Sequence, residues 1–97
     1  MNVPELQSAL TPYSAELRER FDVRELLLFR SVARNKQTIS SDVDLIVKFN
    51  GRASFDRYMD LKFFLEKLLG RDVDLVTEKG IKEAIRSQIL EDAIRVT

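Results

Sequence analysis

The chain contains no cysteine and no histidine. Without thiols there is no disulfide, no thiol nucleophile and no zinc–thiolate site, a composition that fits a reducing compartment. Without imidazole there is no Ser-His-Asp triad, and any metal must be held by oxygens of Asp, Glu and Ser, a donor set suited to Mg²⁺, Mn²⁺ or Ca²⁺. Net charge is also missing: sixteen basic residues balance sixteen acidic ones, so no overall field draws the chain to nucleic acid or an anionic membrane. Only three glycines and two prolines are present, too few for a long linker. No apolar run approaches the roughly 20 residues of a membrane span, and the N-terminus shows no basic region leading into an apolar stretch. A cytoplasmic protein with no membrane partner is expected.

What is there suits one small globular domain over residues 1–97: 44% of residues are hydrophobic and 33% charged, enough for a single core. Leu6, Leu10, Tyr13, Leu17 and Phe21 recur at spacings of three or four, which predicts helix over 4–20. Thr11-Pro12 divides it into pieces near 4–10 and 12–20, with Thr11 as the second N-cap. A first strand is expected over 24–29, a turn or short helix over 30–34, and a polar loop over 35–41. A second strand begins near Asp42, with Asp42, Asp44 and Ile46 on one face and Val43, Leu45, Val47 and Phe49 on the other. Ser54 caps a helix whose Tyr58, Leu61, Leu65 and Leu68 form an apolar stripe ending before Gly70. A third strand over 71–76 alternates Asp72 and Asp74 with Val73 and Leu75. A last helical region runs from Thr77 through Ile81, Ile85 and Ile89 towards Ile94.

Carboxylates at i and i+2 of a strand project from one face about 7 Å apart, within reach of one divalent ion. A third from a neighbouring strand completes a two-metal cluster of the kind that drives phosphoryl and nucleotidyl transfer. Asp42, Asp44 and Asp74 have the spacing and element type for this. Asp-x-Asp in a strand also serves simply as solvated charge at a sheet edge, and both readings stand on spacing alone. Arg18, Arg20 and Arg24 are read as a solvated helix end rather than a nucleic-acid patch.

Leu28-Phe29-Arg30-Ser31-Val32-Ala33-Arg34-Asn35, a five-residue gap, and Ser41-Asp42-Val43-Asp44-Leu45 together resemble the signature of the minimal nucleotidyltransferases, small members of the DNA polymerase β-like superfamily. Arg71-Asp72-Val73-Asp74-Leu75-Val76-Thr77 is similar to that family's third-carboxylate strand, and Ile89-Leu90-Glu91-Asp92-Ala93-Ile94 to its closing segment. The resemblance implies an α/β nucleotidyltransferase fold, a small mixed sheet with helices packed on one face. It further implies Asp42, Asp44 and Asp74 as catalytic Mg²⁺ ligands, two ions in all, with Asp74 helping the second metal or acting as base. Arg30, Ser31, Arg34 and Ser41 would contact the nucleotide, Arg34 alternatively bracing the loop.

ATP is the implied substrate, the implied acceptor is a hydroxyl on a HEPN-type toxin protein, and the implied role is that of antitoxin. A homo- or hetero-oligomer is left open. The sequence departs from the family pattern where Arg30 and Asn35 replace the two motif glycines. A side chain at the first glycine adds bulk where the backbone meets phosphate. Arg30 then has two outcomes: it contacts phosphate through its planar donors, or it pairs with Asp42 or Asp44 in place of a metal. The second outcome would leave a degenerate module that neutralises its partner by binding alone.

Overall fold

The computed structural model describes residues 3–28 and 43–97. Helix α1 (Val3–Leu10) runs into a 3₁₀ turn (Thr11–Tyr13) and then α2 (Ser14–Phe21). The break falls at Pro12, as its missing N–H requires, but Thr11 does not cap α2. Its hydroxyl instead donates back to the Gln7 carbonyl at 2.7 Å, closing the end of α1. Strand β1 (Val23–Leu28) pairs antiparallel with β2 (Val43–Phe49), and β2 pairs parallel with β3 (Val73–Thr77). Between β2 and β3 lies α3 (Phe55–Leu69), the crossover that a parallel pair needs. The expected turn and loop over 30–41, and the expected end of β1 at Phe29, lie outside the described residues.

Helix α3 starts and stops where its sequence dictates. The Ser54 hydroxyl accepts from the Arg57 N–H at 3.1 Å, satisfying one of the orphan donors of the first turn. Gly70 takes the left-handed conformation at φ 65° and returns its N–H to the Glu66 carbonyl at 2.8 Å, a C-terminal stop that glycine makes without Cβ strain. Leu61 and Leu65 are fully buried.

Two expectations at the C-terminal end need correction. The third strand begins at Val73 rather than residue 71. The last helix does not start at Thr77, whose hydroxyl accepts from the Gly80 N–H and caps a 3₁₀ turn (Glu78–Gly80). Helix α4 covers only Glu83–Asp92, and the chain then straightens into β4 (Ile94–Arg95). Strand β4 pairs antiparallel with β1, giving the order β3-β2-β1-β4. The physical reason lies in β1: the Leu26 N–H donates to the Thr97 carbonyl and the Val96 N–H to the Leu26 carbonyl. These bonds satisfy a sheet edge that a longer helix would leave open.

The core lies on one face of this sheet. Leu6, Leu10, Leu17 and Phe21 from the first two helices, with Leu61 and Leu65 from α3, pack on Leu26, Leu45, Val47, Val73 and Leu75. The other face is not uniformly polar, as the place of Ile46 beside Asp42 and Asp44 in the alternation of β2 implies. Ile46, on the same face as Asp44, has 0% exposure, and its cross-strand partner Leu27 is also buried. Acid therefore marks one end of that face, and an apolar row crosses its middle. Beyond that row Lys48 lies between Glu25 at 3.2 Å and Glu78 at 3.5 Å.

Candidate active site

Residues Val43 to Val47 and Val73 to Thr77 pair in parallel register, so Asp44 lies directly beside Asp74. Strand period two puts Val43, Leu45, Val73 and Leu75 into the core, which turns both aspartates to the opposite face. Neighbouring strands stand about 4.8 Å apart. Carboxylates on directly paired residues are within reach of a single cation placed between them. Asp44 is half-buried and Asp74 exposed, so the pair opens to solvent from the Asp74 side. Asp72, the other acid of the third segment, precedes the strand and is exposed; its carbonyl accepts from the Val43 N–H at 3.3 Å and aligns the start of β2.

Of the residues expected at the site, the structure brings Asp44 and Asp74 together. Asp42, Arg30, Ser31, Arg34 and Ser41 lie outside the described residues. Among the described residues no cluster of three metal-ligating side chains occurs. The donor chemistry nevertheless fits Mg²⁺: both described acids offer hard oxygen ligands, on adjacent strands and on one face.

Sequence reasoning missed the groups that grip β3 from outside. Tyr58 belongs to the apolar stripe of α3, but its hydroxyl donates to the Leu75 carbonyl. Glu66, two turns later, accepts from the Val73 N–H at 3.1 Å and from Lys62 Nζ at 2.9 Å. The hydrogen bond from Lys62, and then that from Val73, hold the Glu66 carboxyl below its ordinary value; burial opposes them. Burial, and then the nearby Asp74 carboxylate, push the Tyr58 phenol above its ordinary value, so it remains a donor. The available signal was the four-residue spacing Tyr58-Lys62-Glu66, one polar line along a helix.

A family model described as the nucleotidyltransferase domain matches residues 13–96. The chain belongs to that family. This nucleotidyltransferase is 38% identical over 96 residues to the protein adenylyltransferase MntA of Thermococcus cleftensis, an alignment spanning 99% of this chain and 97% of that one. A solved structure assigned as a minimal nucleotidyltransferase superposes with a TM-score of 0.74 at 34% identity, covering 97% of this chain and 95% of the other. The fold is shared more distantly with the MNT antitoxin structure in complex with the tri-AMPylated HEPN toxin of Shewanella oneidensis. There the TM-score is 0.68 at 16% identity, over 99% of this chain and 72% of that one. No helix among the described residues of the nucleotidyltransferase is long and apolar enough to cross a membrane.

Proposed function

We propose that this nucleotidyltransferase, a single domain over residues 1–97, transfers AMP from ATP to a hydroxyl of a HEPN-type protein partner and acts in the cytoplasm as its antitoxin. The observation that carries the reading is the alignment of Asp44 with Asp74 on one face of adjacent strands. The near full-length similarity to a protein adenylyltransferase supports the reaction. The fold shared with an antitoxin bound to its AMPylated toxin supports the partner.

In the reaction the acceptor oxygen bonds to the α-phosphorus of ATP, the bond to the β-phosphate oxygen breaks, and pyrophosphate leaves. Asp42, Asp44 and Asp74 are the residues that would hold Mg²⁺. When bound there, the metal neutralises the phosphates and lowers the pKa of the attacking hydroxyl. Asp74, the more exposed of the described pair, either helps to hold the second ion or takes the proton of that hydroxyl. Ser31, Ser41, Arg30 and Arg34 are assigned to the triphosphate, the two arginines through planar donors that match phosphate oxygens. The test is incubation with labelled ATP, Mg²⁺ and the partner protein. Wild type is expected to label the partner, and Asp44→Asn or Asp74→Asn to lower the rate at least about a hundredfold, since losing a metal ligand removes several kcal/mol of transition-state stabilisation. Equal labelling by wild type and Asp44→Asn would overturn the reading.

One observation favours a second reading: Arg30 stands where the family signature has glycine. In that reading the protein neutralises its partner by contact alone. An Arg30→Gly variant separates the two, because labelling by the variant and not by wild type would identify Arg30 as a block on catalysis.

A further inference from the structure

We propose that Tyr58 and Glu66 are positioning residues that clamp the outer edge of β3 on either side of Asp74 and hold its carboxylate level with that of Asp44. The inference rests on the reading above, in which those two acids act together.

Among the described residues strand β3 ends the sheet, with β2 as its one neighbour. Successive residues of a strand point their backbone groups to opposite sides. The Asp72 carbonyl accepts from Val43 of β2, so the groups of Asp72 and Asp74 face inward and those of Val73 and Leu75 face out. An edge strand normally leaves such outward groups to water. Here α3 takes one from each residue: the Glu66 carboxylate receives the Val73 N–H, and the Leu75 carbonyl receives the Tyr58 hydroxyl. The two bonds straddle Asp74.

The parts of the clamp are fixed in turn. Tyr58, Lys62 and Glu66 succeed one another at four-residue spacing, and the ion pair from Lys62 restrains the Glu66 carboxylate at 2.9 Å. The bond to Val73 is charge-assisted on the acceptor side and hence stronger than an amide–amide bond. Val73 and Leu75, buried in the core, decide which face Asp74 takes. Tyr58 and Glu66 decide how firmly the strand is held there. A shift of about 1 Å in a metal ligand or positioning group is enough to lower a rate by a hundredfold.

The test uses the full chain carrying Tyr58→Phe, Glu66→Ala or Glu66→Gln. Phenylalanine removes the hydroxyl and keeps the packed ring; glutamine keeps an acceptor for Val73 and loses the charge. Amide exchange at residues 73–75 is expected to accelerate about tenfold in Tyr58→Phe and Glu66→Ala. The Mg²⁺ concentration for half-maximal AMP transfer should rise several-fold, with KM for ATP unchanged and Glu66→Gln recovering most of the loss. Unaltered exchange, or a slower reaction with unaltered metal dependence, would overturn the clamp. Should wild type transfer no AMP, the proposed function fails, and the clamp is decided by direct titration with Mn²⁺. Weaker binding by Tyr58→Phe than by wild type sustains it, and equal binding, including none by either, overturns it.

Discussion

Asp22 closes α2 with a left-handed backbone at φ 59°, a conformation that costs an L-residue roughly 1–2 kcal/mol. Aspartate tolerates it better than most, and here its contacts help. Its carbonyl accepts from the Asn50 N–H at 2.9 Å, its carboxylate accepts from Asn50 Nδ2 at 3.3 Å, and Arg57 Nη1 lies 3.7 Å away. The end of α2 is thereby joined to the turn that launches α3. Asp22→Ala is expected to lower stability in urea unfolding by about 2 kcal/mol, combining left-handed strain with lost hydrogen bonds. Asp22→Gly should lose less, because glycine removes the strain. At this scale the sequence was informative about Asp44 and Asp74, whose period-two pattern puts acid opposite core. It was silent about Asp22, since nothing local announces a positive φ at an aspartate.

Helix α3 supplies both the core and the hold on β3. Leu65 is fully buried, so Leu65→Ala should cost about 2–5 kcal/mol in chemical denaturation. The Ser54 cap is worth about 1 kcal/mol, measurable in the same way with Ser54→Ala. The Glu66 carboxyl is held below its ordinary value of 4.5 by its bonds to Lys62 and Val73. Its contribution is therefore complete above that pH and is lost as the pH falls through the lower folded value. Lys62, held above its ordinary 10.5 by the bond from Glu66, stays charged throughout that range, and Asp72 adds a further charge close by. The stability advantage of wild type over Glu66→Gln should accordingly persist above pH 4.5 and shrink on acidification, as read by thermal melting across a pH series. The limits of α3 were legible from Ser54 and Gly70 because caps are local chemistry. The limits of α4 were not, because Ile94 fits a helical stripe equally well, and only the open edge of β1 draws the last residues into a strand.

Across the whole molecule, sequence order and spatial order diverge in one informative place. The final residues return to β1, next to the strand that carries Asp44, and Val96 is buried among the core side chains. Removing residues 94–97 takes away that side chain and the backbone bonds to Leu26. A loss of at least about 2–3 kcal/mol is expected from the apolar burial and hydrogen bonds together, with a lower urea midpoint. The pairing of Asp44 with Asp74 depends on a parallel register between strands separated by a whole helix. No pattern within either strand specifies that register; it follows from how α3 packs back onto the sheet.

An exposed strand edge is also a template on which another chain can extend the sheet. With the Val73 N–H and the Leu75 carbonyl already bonded to Glu66 and Tyr58, that edge offers an incoming strand only two of the four outward groups of these residues. The side chains that steady the acid strand therefore also shorten the template at the edge where the protein leaves its carboxylate open to solvent.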